Sequence, residues 1–522
     1  MKSKQHREQG GVLITAIILI TTVAVVLVAF YQGFLPKYRS IYQAASWQEA
    51  LHGAEAGVDY TMQVLNNSAS TTKNPDAYAW TGFTTANTNA AATTSGGGSA
   101  ATPVSNLNNR ERTLDAAQLP FLGGTNNVQV MKVSVDVYTR NNTPPNNSSN
   151  AYPWFRIRST GKADVPGRTV PSDSRDTALR RMKLNNASPY VTRTVEVIAR
   201  PKFRFSRAIT TVTDLSLGNS SNWTVDSFDS SDTTKSEPGN VVSGYSAGGV
   251  YPASTPSEIQ SNGSIATQAV EPSGVTYGTL IIGNGAIVKG DVLTVGGDDP
   301  ATAAHENVSG SGGMDQSRIR DDFDDTLSPV SKPGWAATAA NPAGNTGFAT
   351  STTAASPARY IINANLGAFA VTAPAAGSTG YIEIVVNGSL SIGNGNGAKV
   401  VIPPNVYASI YVDGNIDFGN GNVNADSASS QVASHLSVYG VHATGTFSAS
   451  GNANEILAFY GPTYMATLSG TVTTVGSFVA NTFSINGGGN GGFHYDEALG
   501  NGGDISGWTV ASYMDDARTD LQ

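Results

Sequence analysis

The stretch GVLITAIILITTVAVVLVAFYQGFL, residues 11–35, decides the first part of the fold. Residues 11–30 carry no charge, and Thr15, Thr21 and Thr22 are their only polar side chains. An apolar run of that length makes about 30 Å of helix at ~1.5 Å per residue, enough to cross the hydrocarbon core of a bilayer. The leader MKSKQHREQG carries Lys2, Lys4 and Arg7, while Lys37 and Arg39 follow the span. That charge bias is small; the short leader and the large polar remainder favour a cytoplasmic N-terminus with the bulk outside.

Beyond the span, residues 37–65 place Ile41, Ala45, Leu51, Ala54, Val58, Met62 and Leu65 mostly at three- and four-residue steps. That spacing predicts a continuing amphipathic helix, kinked or interrupted at Pro36. Residues 66–125 are rich in Ser, Thr, Asn, Ala and Gly and read as a long polar excursion, with Trp80 to Phe83 pinning it locally. Residues 126–206 change rhythm. VQVMKVSVDVYT at 128–139, WFRIRSTGKA at 154–163 and VTRTVEVIAR at 191–200 alternate in the manner of antiparallel strands with one buried face.

Residues 207–499 change again. Short runs of β-formers end in Gly-Asn or Asn-Gly, as in YIEIVVNGSLSIGNGNG and SIYVDGNIDFGNGN. Gly414, Gly440 and Gly461 follow comparable strands. Coils of that size suggest an all-β, right-handed β-helix or solenoid with Val, Ile and Leu inward; a β-sandwich is the rival. Of the neighbours Ile410 and Val412, one is expected to point inward. The remaining residues, 500–522, read as a C-terminal tail. The domain plan is thus leader 1–10, helix 11–65, linker 66–125, antiparallel sheet 126–206, β-solenoid head 207–499 and tail 500–522. The fold class is an α+β N-terminal part followed by an all-β head.

Composition limits the chemistry. The 522 residues contain no cysteine, which removes disulfides, thiolate metal sites and Cys nucleophiles. Charge is segregated: residues 151–210 hold 13 Lys and Arg against 4 Asp and Glu, and residues 211–522 hold 8 against 27. The basic block has the sign to meet anionic lipid or nucleic acid, but no nucleic-acid motif accompanies it, and strands offsetting an acidic body are the plainer reading.

The junction Gly10-Gly11-Val12-Leu13-Ile14-Thr15, between a basic leader and an unbroken apolar helix, resembles the class III signal of type IV prepilins. In that family a prepilin peptidase cuts after the glycine, here between Gly10 and Gly11, and the apolar helix packs into a filament. Thr15 stands where major pilins carry glutamate, which fits PilX-like minor pilins. Ala50, Leu51, Ala54, Glu55, Ala56 and Gly57 resemble the signature of PilX-type N-terminal domains. An ordinary amphipathic helix with small residues for close packing accounts for the same stretch. The run Phe493-His494-Tyr495-Asp496-Glu497 resembles the closing motif of surface domains attached to such N-termini; Val225 to Ser230 and the DDFDDTLSPVSKP linker at 321–333 are similar to other segments of those domains. The closing motif is expected to cap the open end of the solenoid with polar groups.

The resemblance implies a single-pass inner-membrane precursor, then a minor or tip subunit of a pilus (fimbrium) at the cell surface. Its partners would be other pilins, the assembly machinery and the prepilin peptidase, with adhesion to a surface polysaccharide, host or solid surface. No cofactor is implied. No metal site and no catalytic residue are expected either. The six histidines include no pair at ligand spacing, and no H-E-x-x-H, G-x-S-x-G or Walker motif occurs. Asp298-Asp299 and Asp321 to Asp325 read as solvated loops, and GGGNGGFHYD only echoes a Ca²⁺ nonapeptide. Asp413 and Asp417, taken on one strand, fall about 13 Å apart at ~3.3 Å per residue, too far for a glycosidase pair. Two rivals stay open: a permanently anchored β-helical surface protein, and a carbohydrate-active solenoid enzyme on a tether.

Overall fold

The computed structural model divides into two compact units, Met1–Lys202 with Ile505–Gln522, and Phe203–Asp504. The residues described are 4–68, 80, 83–85, 110–114, 128–137, 154–164, 190–218, 222–238, 249–268, 280–294 except 284, 308–309, 313–337 except 321, 322 and 324, 347–502 except 355, 394–397, 427 and 487–490, and 505–515. Most of the 66–125 segment, together with Asp298, Asp299, Asp321, Asp322, Asp324 and residues 487–490, lies outside them.

The first unit is built on α1, Lys4–Ser68. The helix runs through Pro36 without the expected interruption. Its part Gly11–Phe34 is entirely exposed, and among the described residues it is the one helix long and apolar enough to cross a membrane. The later part packs on an antiparallel sheet. Ser46, Ala50, Ala54, Thr61 and Leu65 are buried there. Two glycines allow close packing: a Cβ on Gly161 would lie 2.0 Å from the Ala50 carbonyl oxygen, so helix backbone meets strand backbone there, and one on Gly57 would lie 2.2 Å from the Ser159 side-chain Oγ.

The sheet has six strands in the order Thr84–Thr85, Arg110–Leu114, Val128–Val137, Phe155–Asp164, Tyr190–Phe203 and Ile505–Asp515. The register Val133↔Ser159↔Val195 keeps the helix-facing residues in line. Trp80 and Phe83 are buried, in keeping with the expected local pin. Two expectations change here. Two short strands interrupt the supposed linker. Residues 505–515, read as tail, form the edge strand: Trp508 packs 5.7 Å from the Phe155 ring, and its backbone N–H donates to Asn66 Oδ1 at 2.6 Å. A strand whose partners lie 300 residues upstream carries no local turn signal to announce it.

In the second unit the strands join in parallel ladders. A first ladder links, in spatial order, Ala358–Ile362, Gly380–Val386, Val406–Val412, Leu436–Gly440, residues 456–461, residues 478–480, Ile209–Thr211, Ile265–Thr267, Val292–Leu293 and Ile319–Arg320. A second runs from Leu390–Ser391 through Ile416–Gly419, Gly445–Ala449, residues 464–469 and 482–486 to Leu215–Leu217, Leu280–Ile282 and Val308–Ser309. A third runs from Gly347–Phe348 through Phe369–Val371, Lys399–Val401, Asn422–Val423, residues 454–455 and 473–475 to Gly492–Asp496, Thr224–Phe228, Ile287–Val288 and Gly313–Met314. A large apolar core runs through the unit, beside a smaller cluster of Ala266, Leu293 and Phe323.

All three ladders pass through the rungs in the same order, and it is not chain order. The chain enters mid-stack at Ile209, winds outward to Arg320, returns to the far end at Gly347 and winds back until Gly492–Asp496 meets Thr224–Phe228. The seam pairs segments about 270 residues apart by parallel hydrogen bonding, a connection that demands a long crossover. Ile410 and Val412 are both buried, at 1% and 0% exposure, which corrects the expectation of a single inward residue. Side chains alternate with period two, so residues i and i+2 share a face.

Candidate functional site

The two halves of α1 differ in what their side chains meet. Gly11 has nothing within 4 Å of an added Cβ, Leu13 and Ile14 are 64% and 61% exposed, and the Thr15 hydroxyl donates to the Gly11 carbonyl at 2.9 Å. Gly10 is helical. The small residues Ala50, Ala54, Ala56 and Gly57 are buried, Leu51 is half-buried, and Glu55 accepts a hydrogen bond from the Tyr513 hydroxyl at 2.9 Å. The signature therefore coincides with the helix–sheet contact: small residues stand where backbone comes closest.

Four basic residues of these strands pair with acids nearby. Arg156 pairs with Asp136, Arg158 with Glu196, Lys162 with Asp164 at 3.8 Å and Arg193 with Asp515 at 2.5 Å. The Arg193 guanidinium also lies 5.3 Å over the Trp47 ring. For these four residues, partners in the same sheet, three of them across strands, take up charge that the sequence offered to an anionic ligand.

The closing motif lies at the seam. Phe493 pairs in register with Val225, His494 with Asp226, Tyr495 with Ser227 and Asp496 with Phe228. This corrects the expected end cap: Gly492–Asp496 has a paired strand on both sides and is buried throughout. His494 Nδ1 lies 2.6 Å from Asp226 Oδ1, and the Tyr251 hydroxyl donates to Asp226 Oδ2 at 3.0 Å. The His494 and Tyr251 rings stack with centroids 3.6 Å apart. Burial and the Asp226 charge push the Tyr251 hydroxyl pKa far up. Asp496 accepts from the Ser230 backbone and hydroxyl, at 3.1 and 2.8 Å, and from Ala498 N–H at 3.2 Å. Burial outweighs those bonds and pushes its carboxyl up to about 6. Glu497 accepts from Ser227 and Asn262. The Tyr495 hydroxyl donates to the Phe205 carbonyl at 3.0 Å, tying the departing chain to the arriving one. Sequence reading had noted both halves of the seam, but Tyr251 and the contact itself carried no local signal.

The other acids also have structural partners. Asp413 lies in the turn after Val406–Val412 and Asp417 in the next strand, Ile416–Gly419, so the single-strand spacing does not apply. Asp413 meets Lys332 Nζ at 2.5 Å and His442 Nδ1 at 2.9 Å, which hold its carboxyl below the usual range. Asp417 accepts from Ser448 at 2.9 Å. Sequence reading missed two buried groups. Glu455 is fully buried and accepts from the Thr474 hydroxyl at 3.4 Å, and burial raises its carboxyl to about 8. His435, beside the Tyr407 ring at 4.5 Å, is lowered by burial to about 4. Among the described residues no group of three His, Asp or Glu is placed to hold a metal ion.

Residues 374–502, a quarter of the chain, match the family described as a domain of unknown function (DUF7305). The match runs from just before the strand Gly380–Val386 through the closing motif. Among solved structures, the competence-associated pilin ComZ from Thermus thermophilus aligns over 90% of this chain and 96% of its own, at 12% identity and a TM-score of 0.21, a value too low to establish a shared fold. No curated protein matches the chain.

Proposed function

We propose that this chain is a non-catalytic, pilin-like subunit of a type IV pilus or related filament, of the PilX-like minor kind, carrying its second unit as a β-helical head for surface binding. The observation that supports this most is the division of α1: an exposed apolar half, Gly11–Phe34, continuous with a half whose small residues pack on an antiparallel sheet. A helix apolar on all sides needs lipid or other apolar helices around it. On this reading the leader faces the cytoplasm, a prepilin peptidase removes it after Gly10, and the helix packs among other pilins as the assembly machinery lifts it from the inner membrane. A head of about 300 residues crowds a thin filament and suits a rare or tip position. The three parallel ladders, each repeating the same rung order, support the β-helix reading, and on this reading the head binds a polysaccharide, host or solid surface. The polar clusters support an inert role, since the carboxylates of the seam and of Asp413 bond to the protein's own groups.

Processing tests the proposal. Gly10→Val in the full chain is expected to leave a slower-migrating precursor in the membrane, while the unaltered protein sheared from cells begins at Gly11 by mass spectrometry. Finding Met1 on sheared surface protein would instead favour a permanently anchored head. Release of reducing or unsaturated sugar ends by the purified protein, lost in Asp413→Asn, would favour the tethered enzyme.

A further inference from the structure

Residues 325–335 belong to none of the three ladders, yet they bond to rungs far apart in the stack. Near one end of the segment, Asp325 pairs with Arg207, just before Ile209–Thr211, and its carbonyl accepts from Gln268. Further on, the Ser328 carbonyl accepts from the Tyr460 hydroxyl at 2.9 Å, and Lys332 Nζ lies 2.5 Å from Asp413 Oδ2 and 2.8 Å from Asn387 Oδ1. At its far end the Arg359 guanidinium lies 5.3 Å over the Trp335 ring. Leu327 and Val330 pack on the apolar core between these anchors.

The anchors follow the order of the first ladder, from Ile209–Thr211 past 456–461, Val406–Val412 and Gly380–Val386 to Ala358–Ile362. Six strand spacings of ~4.8 Å separate the ends, about 29 Å. Ten residue steps from Asp325 to Trp335 reach about 33 Å when extended. Ten residues are thus long enough to reach across all of these strands, the last of them turning into a short 3-10 helix at Gly334–Ala337.

We infer that residues 325–335 are a clamp along the stack. When the two arms of the head are drawn apart, the anchors of this segment share the load with the hydrogen bonds of the parallel ladders and raise the force at which the ladders open. The inference does not depend on how the chain is anchored.

The chain has no cysteine, so two introduced ones give unique handles. Ile287 and Ala370 are exposed, lie on the third ladder and stand toward opposite ends of it. The full chain with Ile287→Cys and Ala370→Cys would be stretched between these positions in optical tweezers. Two further forms carry an insertion between Val330 and Ser331: a six-residue Gly-Ser stretch that slackens the clamp, and a protease site that is cut. Because forced opening follows the unfolding rate, both are expected to open at forces at least about twofold lower than the parent. Thermal melting without load is followed in parallel, to confirm that each form is folded. Equal opening forces in folded parent, slackened and cut forms would overturn the clamp.

Discussion

The two units place their charged groups in opposite ways. In the first, Arg156, Arg158 and Arg193 sit on the antiparallel sheet, partly in water, each beside an acid. In the second, Asp226, Asp496, Glu455 and His435 are almost wholly buried between parallel ladders. Each sheet is built to allow this. An antiparallel sheet covered by a helix on one face leaves its other face to solvent, where an ion pair contributes little. Inside stacked ladders a polar group is either hydrogen-bonded, as Asp496 is, or kept neutral, as burial keeps Glu455. Charges in the first unit decorate the surface; polar groups in the second define where the stack closes.

The largest test of this contrast is a charge forced into the ladders. Ile410→Asp or Val412→Asp places an unpaired carboxylate at a site with at most 1% exposure and is expected to destabilise the second unit by several kcal/mol. Thermal melting measures it, and tolerance at either position would mean that this strand has no buried face.

A middle-sized effect comes from pH. Glu455 has its folded pKa raised from 4.5 to about 8, so its contribution is complete below pH 4.5 and lost as pH rises through 8. His435 has its folded pKa lowered from 6.5 to about 4, so its contribution is complete above pH 6.5 and lost as pH falls through 4. Asp496, raised from 3.8 to about 6, spends its window below pH 6. Between pH 6.5 and 8 Glu455 dominates, and stability should fall by about 2 kcal/mol at 1.36 kcal/mol per pH unit. Denaturant titrations across that range check it, and Glu455→Gln should flatten the slope. An unchanged slope in the variant would assign the dependence elsewhere.

The smallest effect belongs to the first unit. Arg156→Ala removes a pair whose side chains are 33% and 25% exposed and should cost at most about 1 kcal/mol. A loss of several kcal/mol would erase the contrast, because surface pairs would then carry as much as buried groups do.

Much of this architecture is legible in particular residues. The alternation of FRIRSTGKA reads directly as the buried face of Phe155, Ile157 and Ser159, and the small residues at Ala50, Ala54 and Gly57 mark the helix face that meets it. The closing motif and the Val225 run were both visible, but as separate fragments. The supposed linker at 321–333 is legible as acidic and Pro-bearing, though not as a segment in which Phe323 is 2% exposed and Lys332 bonds to the turns that follow two strands. Glu455 and His435 looked like any other polar residues, because burial is a property of the packed state.

By itself the sequence determined the apolar span of α1, the two-residue parity of the strands and the absence of cysteine chemistry, since each depends only on near neighbours along the chain. Only the tertiary structure decided that Ile505–Asp515 completes the first sheet and that Gly492–Asp496 closes on Thr224–Phe228 rather than capping an end. Parallel ladders join residues hundreds of positions apart through backbone groups that every residue carries, so the choice of partner leaves no mark on the local pattern.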